Sequence, residues 1–290
     1  PFKWFLCGLI PCAWFFRSSW KMLLFQALPS TLVVMLVLQT SPTSYWSPYY
    51  KIDLSFAYEA GHREKGPMSY GVSVNDTFHQ GMYDFSKEGI ARFPSLQQKK
   101  DVYEYPYELV HPQSVLIIGA GSGNDASAAL RMGAGDVVAV EIDPFIASFG
   151  YSLHAEQPYK SDKVKVVVND ARAAVENLDR KFDLVTFGYL DAHRVFSQFS
   201  SVRLDNFIYT EGSFRAIQER LNPNGLLSLT FFAFRPWVPE RLYAGLANVF
   251  GEDLVAIRTA TYAPDDTVVF LAGPAVRGLK NIERPGFRTD

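Results

Sequence analysis

The sequence has few cysteines and almost no net charge, and each shortage excludes a class of function. Its 290 residues include two cysteines, Cys7 and Cys12, and carry a formal net charge of -2 at pH 7. Two cysteines in one apolar segment, without a second pair elsewhere, do not match a zinc site, so we expect buried thiols and no metal. A chain with no excess of basic residues lacks the electrostatic field that nucleic-acid binding needs, and we expect no nucleic-acid partner.

The first forty residues contain long apolar runs. The run from Trp20 to Leu38 is close to the 20 or so residues that cross a bilayer, whereas the run from Trp4 to Phe16 is too short. No small-residue cleavage site follows, which disfavours a signal peptide. We therefore expect residues 1–40 to form hydrophobic, transmembrane-like helices from a longer membrane region. A helical hairpin packed against the core is the alternative.

The rest of the chain changes its pattern near residue 106. Residues 41–105 alternate apolar and polar residues around glycines, which predicts a linker and a small β unit. Apolar strands separated by helical stretches follow, beginning with VLIIG, and predict a parallel α/β sheet over residues 106–275. The last two strands, LVAIRTA and TVVFLAG, are separated only by TYAPDD and should pair antiparallel. We expect a Rossmann-like α/β fold of seven strands, the last one reversed, followed by a tail over residues 276–290.

A glycine-rich loop follows the first strand of this domain, but it lacks the third glycine of a dinucleotide-binding loop. The G-x-G-x-x-G pattern would place a glycine where Asn124 stands. The glycines are instead Gly119, Gly121 and Gly123, and residues without a Cβ allow the backbone to approach a nucleoside closely. A tight turn without a ligand is the alternative for this spacing alone.

Acidic residues end the next two predicted strands. Glu141 is placed to accept hydrogen bonds from both ribose hydroxyls. Asp170 is placed to accept a hydrogen bond from an adenine amino group, with Ala171 beside the ring. Because the carboxyl ends of parallel strands share one edge, both acids should converge with the glycine loop on one adenosine. The sequence predicts S-adenosylmethionine or its decarboxylated form as co-substrate; solvated helix caps are the alternative for both acids.

These motifs resemble the spermidine synthase (polyamine aminopropyltransferase) family, within the class I S-adenosylmethionine-dependent methyltransferase fold. The similar stretches run from about Tyr45 to about Gly273 and include SVNDTFHQ, VEIDP and NDAR. The sequence looks most like membrane-associated bacterial members, in which hydrophobic helices precede the synthase-like domain. The resemblance implies that Gln80 contacts the far end of the donor and that Ser122 lies in the donor loop.

Two acids of that family are absent from the matching positions. In the family, an aspartate after the fourth strand orients or deprotonates the attacking amine, and Gly188 stands there. Ser122 replaces the aspartate that holds the aminopropyl ammonium, and a hydroxyl supplies no charge that favours the decarboxylated donor. An alkylamine must lose a proton before it attacks. Asp191 and His193 are the remaining catalytic candidates, with a turn aspartate and a surface histidine as the alternatives.

The predicted function combines these features. We expect a membrane-attached transferase that faces the cytoplasm and joins an S-adenosyl donor to a small-molecule acceptor such as an amine. Methyl transfer or another use of the intact donor is slightly favoured, because both amine-binding charges are replaced. The alternatives are a true polyamine aminopropyltransferase that uses Asp191 as base, and a non-catalytic module that binds adenosyl metabolites. If the chain assembles, we expect a homodimer.

Overall fold

The described residues form two β-sheets, one of four strands and one of seven. The computed structural model describes residues 14, 20–40, 44–188, 208–232, 237–261, 266–280 and 282. The strands are β1 (Ser44–Trp46), β2 (Lys51–Ala57), β3 (Ser69–Val74), β4 (Thr77–Tyr83), β5 (Ser114–Ile118), β6 (Asp136–Glu141), β7 (Val164–Val168), β8 (Phe182–Phe187), β9 (Leu221–Phe232), β10 (Val255–Thr261) and β11 (Asp266–Ala272). The α-helices are α1 (Trp20–Thr40), α2 (Lys87–Arg92), α3 (Gln97–Val110), α4 (Asn124–Arg131), α5 (Pro144–Ser152), α6 (Ala171–Glu176), α7 (Glu211–Glu219) and α8 (Trp237–Phe250).

The smaller sheet is an antiparallel meander in the order β1-β2-β3-β4. Its tightest turn is Asn75–Asp76, where both residues have positive φ values of 48° and 62°. Asparagine and aspartate tolerate this left-handed region, and two such residues form the hairpin turn that matches the twist of the flanking strands. The turn fixes the register of β4 against β3, and the pair Val72 and Gln80 lies beside a β-bulge.

The larger sheet has the order β10-β11-β9-β8-β5-β6-β7. Strand β11 is antiparallel to both of its neighbours, whereas the other pairings are parallel. The predicted seven strands with a reversed last strand are therefore confirmed. In the central strand β5, Leu116 and Ile118 face one apolar cluster and Val115 and Ile117 face another, and all four are fully buried. A strand that is buried on both faces has a continuous apolar sequence, and this pattern predicted β5.

The predicted N-terminal membrane helices are not supported. Helix α1 covers the second apolar run, but that run includes Lys21, Gln26, Pro29 and Ser30. Within the described part of the chain, no helix combines the length and the apolar character that crossing a bilayer requires. This finding contradicts the predicted membrane location, which is therefore wrong. The shorter apolar run, residues 4–16, lies outside the described residues apart from Trp14.

Candidate functional site

The glycine loop joins β5 to α4 at the carboxyl edge of the larger sheet, and its backbone requires glycine. Gly119, Gly121 and Gly123 have φ values of 69°, 55° and 105°, in the region that residues with a Cβ rarely adopt. A Cβ on Gly123 would lie 2.6 Å from Cγ of Pro158. A Cβ on Gly121 would lie 2.3 Å from Oε1 of Gln80. The loop is therefore enclosed by neighbours from two other parts of the chain.

Gln80 reaches the glycine loop from β4, and its predicted contact with the far end of the donor remains a prediction. Its Nε2 donates a hydrogen bond of 3.0 Å to Oγ of Ser122, and its Oε1 accepts one of 3.3 Å from the Ser122 backbone N–H. Ser122 is buried at 1% exposure. The smaller sheet thus supplies one wall of the site, and the two residues assigned to the far end of the donor are in direct contact.

Glu141, the last residue of β6, lies against the same loop. Its Oε2 accepts a hydrogen bond of 2.8 Å from the Gly121 N–H, and its Oε1 accepts one of 2.9 Å from the Asp143 N–H. Burial raises the pKa of Glu141 to about 7, although the backbone N–H groups of Asp143, Gly121 and Ile142 favour the ionised form. Each carboxylate oxygen has a second lone pair. Glu141 can therefore accept two further hydrogen bonds, as a ribose diol would require.

Asp170 lies at the neighbouring strand end and caps a helix. The backbone N–H of Asn169 donates to the Glu141 carbonyl at 3.1 Å, so the ends of β6 and β7 are adjacent. Asp170 is exposed, and its Oδ1 accepts a hydrogen bond of 2.9 Å from the Ala173 N–H at the start of α6. Ala171 is the first residue of that helix. Asp170 thus caps α6, which was the alternative role for it. Contact of Asp170 and Ala171 with an adenine remains a prediction.

Asn124, which stands where a dinucleotide loop has its third glycine, fastens the loop to β4. It is 5% exposed, and its Nδ2 donates a hydrogen bond of 2.7 Å to the Gly81 carbonyl. Its Oδ1 accepts from the Tyr83 N–H at 3.2 Å and lies 3.2 Å from Nε2 of His154. Burial lowers the pKa of His154 to about 4, so the ring is neutral at pH 7 and can donate through Nε2. In the sequence, the only indication of a special role for Asn124 was that it replaces the third glycine of the dinucleotide pattern.

Tyr159 supports the loop from the opposite side, a role that sequence analysis missed. Its buried hydroxyl lies 3.0 Å from the Ala120 carbonyl and 2.9 Å from the Gly121 carbonyl, and donates to them. A buried phenol needs such a partner, because an unpaired hydroxyl costs free energy. No local pattern identifies it, since Tyr159 follows the glycine loop by almost forty residues.

Gly188, which immediately follows β8, lies at the position where the resembling family has an aspartate. Its backbone N–H donates to the Ile118 carbonyl at 3.1 Å, which holds it beside the glycine loop. A Cβ there would lie 2.6 Å from the Gly119 carbonyl oxygen and 3.3 Å from Oδ2 of Asp125. The backbone of the glycine loop therefore closes this position to a side chain. The two catalytic candidates, Asp191 and His193, lie outside the described residues and remain predictions.

Solved structures of spermidine synthases have a similar fold. A spermidine synthase in complex with the transition state analogue AdoDATO matches 80% of this chain and 73% of its own, with a TM-score of 0.58 and 15% identity. Spermidine synthase from Thermotoga maritima matches 80% of this chain and 72% of its own, with a TM-score of 0.56 and 16% identity. At these identities, the likeness shows the fold alone.

Sequence comparisons identify the family. The polyamine aminopropyltransferase 2 of Hyperthermus butylicus is 29% identical over 160 residues, which are 53% of this chain and 50% of that protein. The polyamine aminopropyltransferase of Thermococcus onnurineus is 30% identical over 155 residues, which are 51% of this chain and 52% of that protein. The chain thus spans about half the length of these curated relatives. The model of the spermine/spermidine synthase domain matches residues 84–239, more than half of the chain. The chain therefore belongs to the spermine/spermidine synthase domain family.

Proposed function

We propose that this protein transfers the aminopropyl group of decarboxylated S-adenosylmethionine to an amine acceptor of the polyamine class. The observation that carries the proposal is the gathering of Gln80, Ser122 and Glu141 around one glycine loop in a member of this family. The relatives named above are polyamine aminopropyltransferases, which favours the aminopropyl alternative over methyl transfer.

In the proposed site, the donor lies across the carboxyl edge of the larger sheet. Glu141 would accept both ribose hydroxyls, Asp170 would accept the adenine amino group, and the glycine loop would allow close approach of the nucleoside. Gln80 and Ser122 would lie at the end that bears the sulfonium. These residues bind and orient the donor, and orientation accounts for much of the catalysis of a reaction between two bound molecules.

The reaction needs a neutral amine. Its lone pair attacks the aminopropyl carbon bonded to sulfur, the C–S bond breaks, and the electron pair stays on sulfur to give methylthioadenosine. The product nitrogen is an ammonium ion, so the proton that a base must accept is the one that the acceptor loses before it attacks. Because a free alkylamine has a pKa of about 10.4, it is almost entirely protonated at neutral pH. A carboxylate within hydrogen-bond reach supplies the remedy.

Ser122 favours a second candidate, methyl transfer from intact S-adenosylmethionine. The Ser122 hydroxyl neither attracts the ammonium of the decarboxylated donor nor repels the carboxylate of the intact one. The Ser122 hydroxyl is also hydrogen-bonded to Gln80, whose side chain is uncharged. Selectivity for the decarboxylated donor must then come from other groups in the site.

Calorimetry and product analysis distinguish these functions. We expect decarboxylated S-adenosylmethionine to bind at least tenfold more tightly than the intact donor, and 1,4-diaminobutane to release methylthioadenosine. Glu141→Ala should abolish donor binding, whereas the control Glu108→Ala, at an exposed position of α3, should leave it unchanged. Preference for the intact donor with formation of S-adenosylhomocysteine would establish methyl transfer instead. Donor binding without any product would identify a non-catalytic module.

A further inference from the structure

The strand order, together with the proposed position of the donor, indicates which strand end lies nearest to the reacting carbon. Strands β7, β6, β5 and β8 are consecutive in the sheet, so their ends present Asp170, Glu141, the glycine loop and Gly188 in that order. In the proposed function, the first two residues hold adenine and ribose. The sulfonium and its transferable group then extend past the glycine loop toward the end of β8. The amine that attacks this group must approach beside Gly188.

Position 188 itself cannot supply a carboxylate. A Cβ there would come within 2.6 Å of the Gly119 carbonyl oxygen, which belongs to backbone and cannot rotate away. Relief would require a shift between the ends of β5 and β8, which are paired from Val115 with Leu184 to Ile118 with Phe187. The backbone packing of this chain therefore excludes an aspartate, or any other side chain, at position 188.

Another carboxylate lies beside the same position. Asp125, in the first turn of α4, has its Oδ2 3.3 Å from the point where a Gly188 Cβ would be. Asp125 keeps part of its surface exposed, whereas its neighbours Asn124 and Ala126 are buried. Among the residues that the structure describes, no lysine, arginine or histidine forms an ion pair with this carboxylate. Its charge is thus available to a cation that enters the site.

We propose that Asp125 is the catalytic carboxylate that binds the attacking amine and accepts its proton, in place of the acid that Gly188 cannot carry. This inference rests on the proposed aminopropyl transfer. The carboxylate oxygen accepts one proton from the bound alkylammonium, the lone pair that this frees attacks the aminopropyl carbon, and the C–S bond breaks with its electron pair staying on sulfur. The products are the alkylated amine as its ammonium ion, methylthioadenosine and a protonated Asp125, which releases its proton to solvent.

The surroundings of Asp125 suit this task. Burial of its carboxyl group raises the pKa of Asp125 to about 7, although its own backbone N–H favours the ionised form. Tyr107 and Tyr159 interact electrostatically with Asp125, and burial raises the pKa of both phenols well above 10, so they stay neutral at pH 7. Proton transfer from an alkylamine is then unfavourable by about 3 pKa units, whereas an ordinary aspartate would face about 6.

Steady-state kinetics of Asp125→Asn test the assignment, with decarboxylated S-adenosylmethionine as donor and 1,4-diaminobutane as acceptor. We expect kcat/KM for the acceptor to fall about 100-fold or more, the usual size of a lost acid-base group. The wild type should reach a plateau of kcat/KM above neutral pH, whereas the variant should keep rising toward pH 10, because only free amine in solution then reacts. Asp125→Glu, which keeps a carboxylate, should recover part of the activity. The control Asp162→Asn, at an exposed loop position, should match the wild type.

Donor binding separates the remaining outcomes. Calorimetry should give the same Kd for methylthioadenosine and for the decarboxylated donor in the wild type and in Asp125→Asn. A weaker Kd for the decarboxylated donor alone would mean that Asp125 holds the donor ammonium, and would overturn its assignment to the acceptor. An unchanged pH profile would overturn the catalytic role while leaving aminopropyl transfer intact. A wild type that binds donor but alkylates no amine would overturn both proposals.

Discussion

The pH dependence of stability should change when Glu141 is replaced by glutamine. The buried carboxyl group has a pKa of about 7 in the folded protein, compared with 4.5 in an ordinary environment. Since one pKa unit corresponds to about 1.4 kcal/mol, the folded state loses roughly 3 kcal/mol when this group must ionise. Glutamine has a similar shape and does not titrate, so the substitution removes this contribution.

The sign of the effect follows from proton binding. Between pH 4.5 and about 7, the folded protein keeps a proton on Glu141 that the unfolded chain has lost. The free energy of unfolding contributed by this group therefore falls as pH rises through that window and is constant outside it. Glutamine also turns an amide N–H toward Gly121 or Asp143 and loses one acceptor, at a cost of about 1–2 kcal/mol at every pH. The difference in free energy of unfolding, Glu141→Gln minus wild type, should therefore increase by roughly 3 kcal/mol as the pH rises from 4.5 to 8.

Urea denaturation from pH 4.5 to 8, followed by tryptophan fluorescence, measures this difference. The titration of Asp125 contributes to both proteins and cancels in the comparison. Glu108→Gln, at an exposed position of α3, should give a curve parallel to that of the wild type. Parallel curves for Glu141→Gln as well would refute the elevated pKa of Glu141.

Nucleoside binding provides a second measurement of the same group. If ribose hydroxyls donate to the carboxylate, methylthioadenosine binds only the ionised form of Glu141. Its affinity should then be about tenfold lower at pH 6 than at pH 8, because about a tenth of the protein is ionised at pH 6. In Glu141→Gln, this dependence should disappear and the affinity should be low throughout. Equal pH dependence in both proteins would assign ribose recognition to another residue.

Three further substitutions test contacts that hold the glycine loop and helix α4 in place. Gly121→Ala places a Cβ 2.3 Å from Oε1 of Gln80 at a positive φ, so calorimetry should show donor binding at least tenfold weaker; unchanged binding would contradict the enclosed loop. Tyr159→Phe leaves two loop carbonyls without the phenol and should cost about 1–2 kcal/mol in urea denaturation; no loss would show that water replaces it. Arg131→Met leaves Glu156 without its cation and Glu104 with Lys100 alone, and should cost about 3 kcal/mol, seen as a lower Tm at pH 7; a stability loss that vanished at pH 4 would fit, and one that persisted would not.

The central features of the fold could be predicted because they depend on local pattern. Strand β5 is buried on both faces, so its sequence is an unbroken apolar run, and the glycines that follow it are required by the backbone of the loop. Glu141 ends the next strand, and parallel strands bring their carboxyl ends to one edge. The membrane prediction was wrong because Gln26, Pro29 and Ser30 interrupt the apolar run of α1, and no helix among the described residues is long and apolar enough to cross a bilayer.

The residues that secure the loop could not be predicted, because their partners are distant in sequence. Asn124 bonds to Gly81 in the smaller sheet, and Tyr159 reaches the loop from the segment after α5. Each side chain is polar and buried, which local hydropathy cannot distinguish from a polar side chain on the surface. Their roles follow only from the way the smaller sheet and the segment after α5 pack on the loop.

The contrast between Gly188 and Asp125 shows why an aligned position is a weak guide to catalytic ability. An alignment compares residues along the chain, whereas a proton moves between atoms that are close in space. At the end of β8, the Gly119 carbonyl leaves no room for a side chain, and the carboxylate of Asp125 lies 3.3 Å from the place where one would begin. Gly188 therefore lacks the aspartate, but the proposed site still contains a carboxylate, that of Asp125. The site would lack a base only if Asp125 did not accept the proton of the amine, and the pH profile of Asp125→Asn measures whether it does.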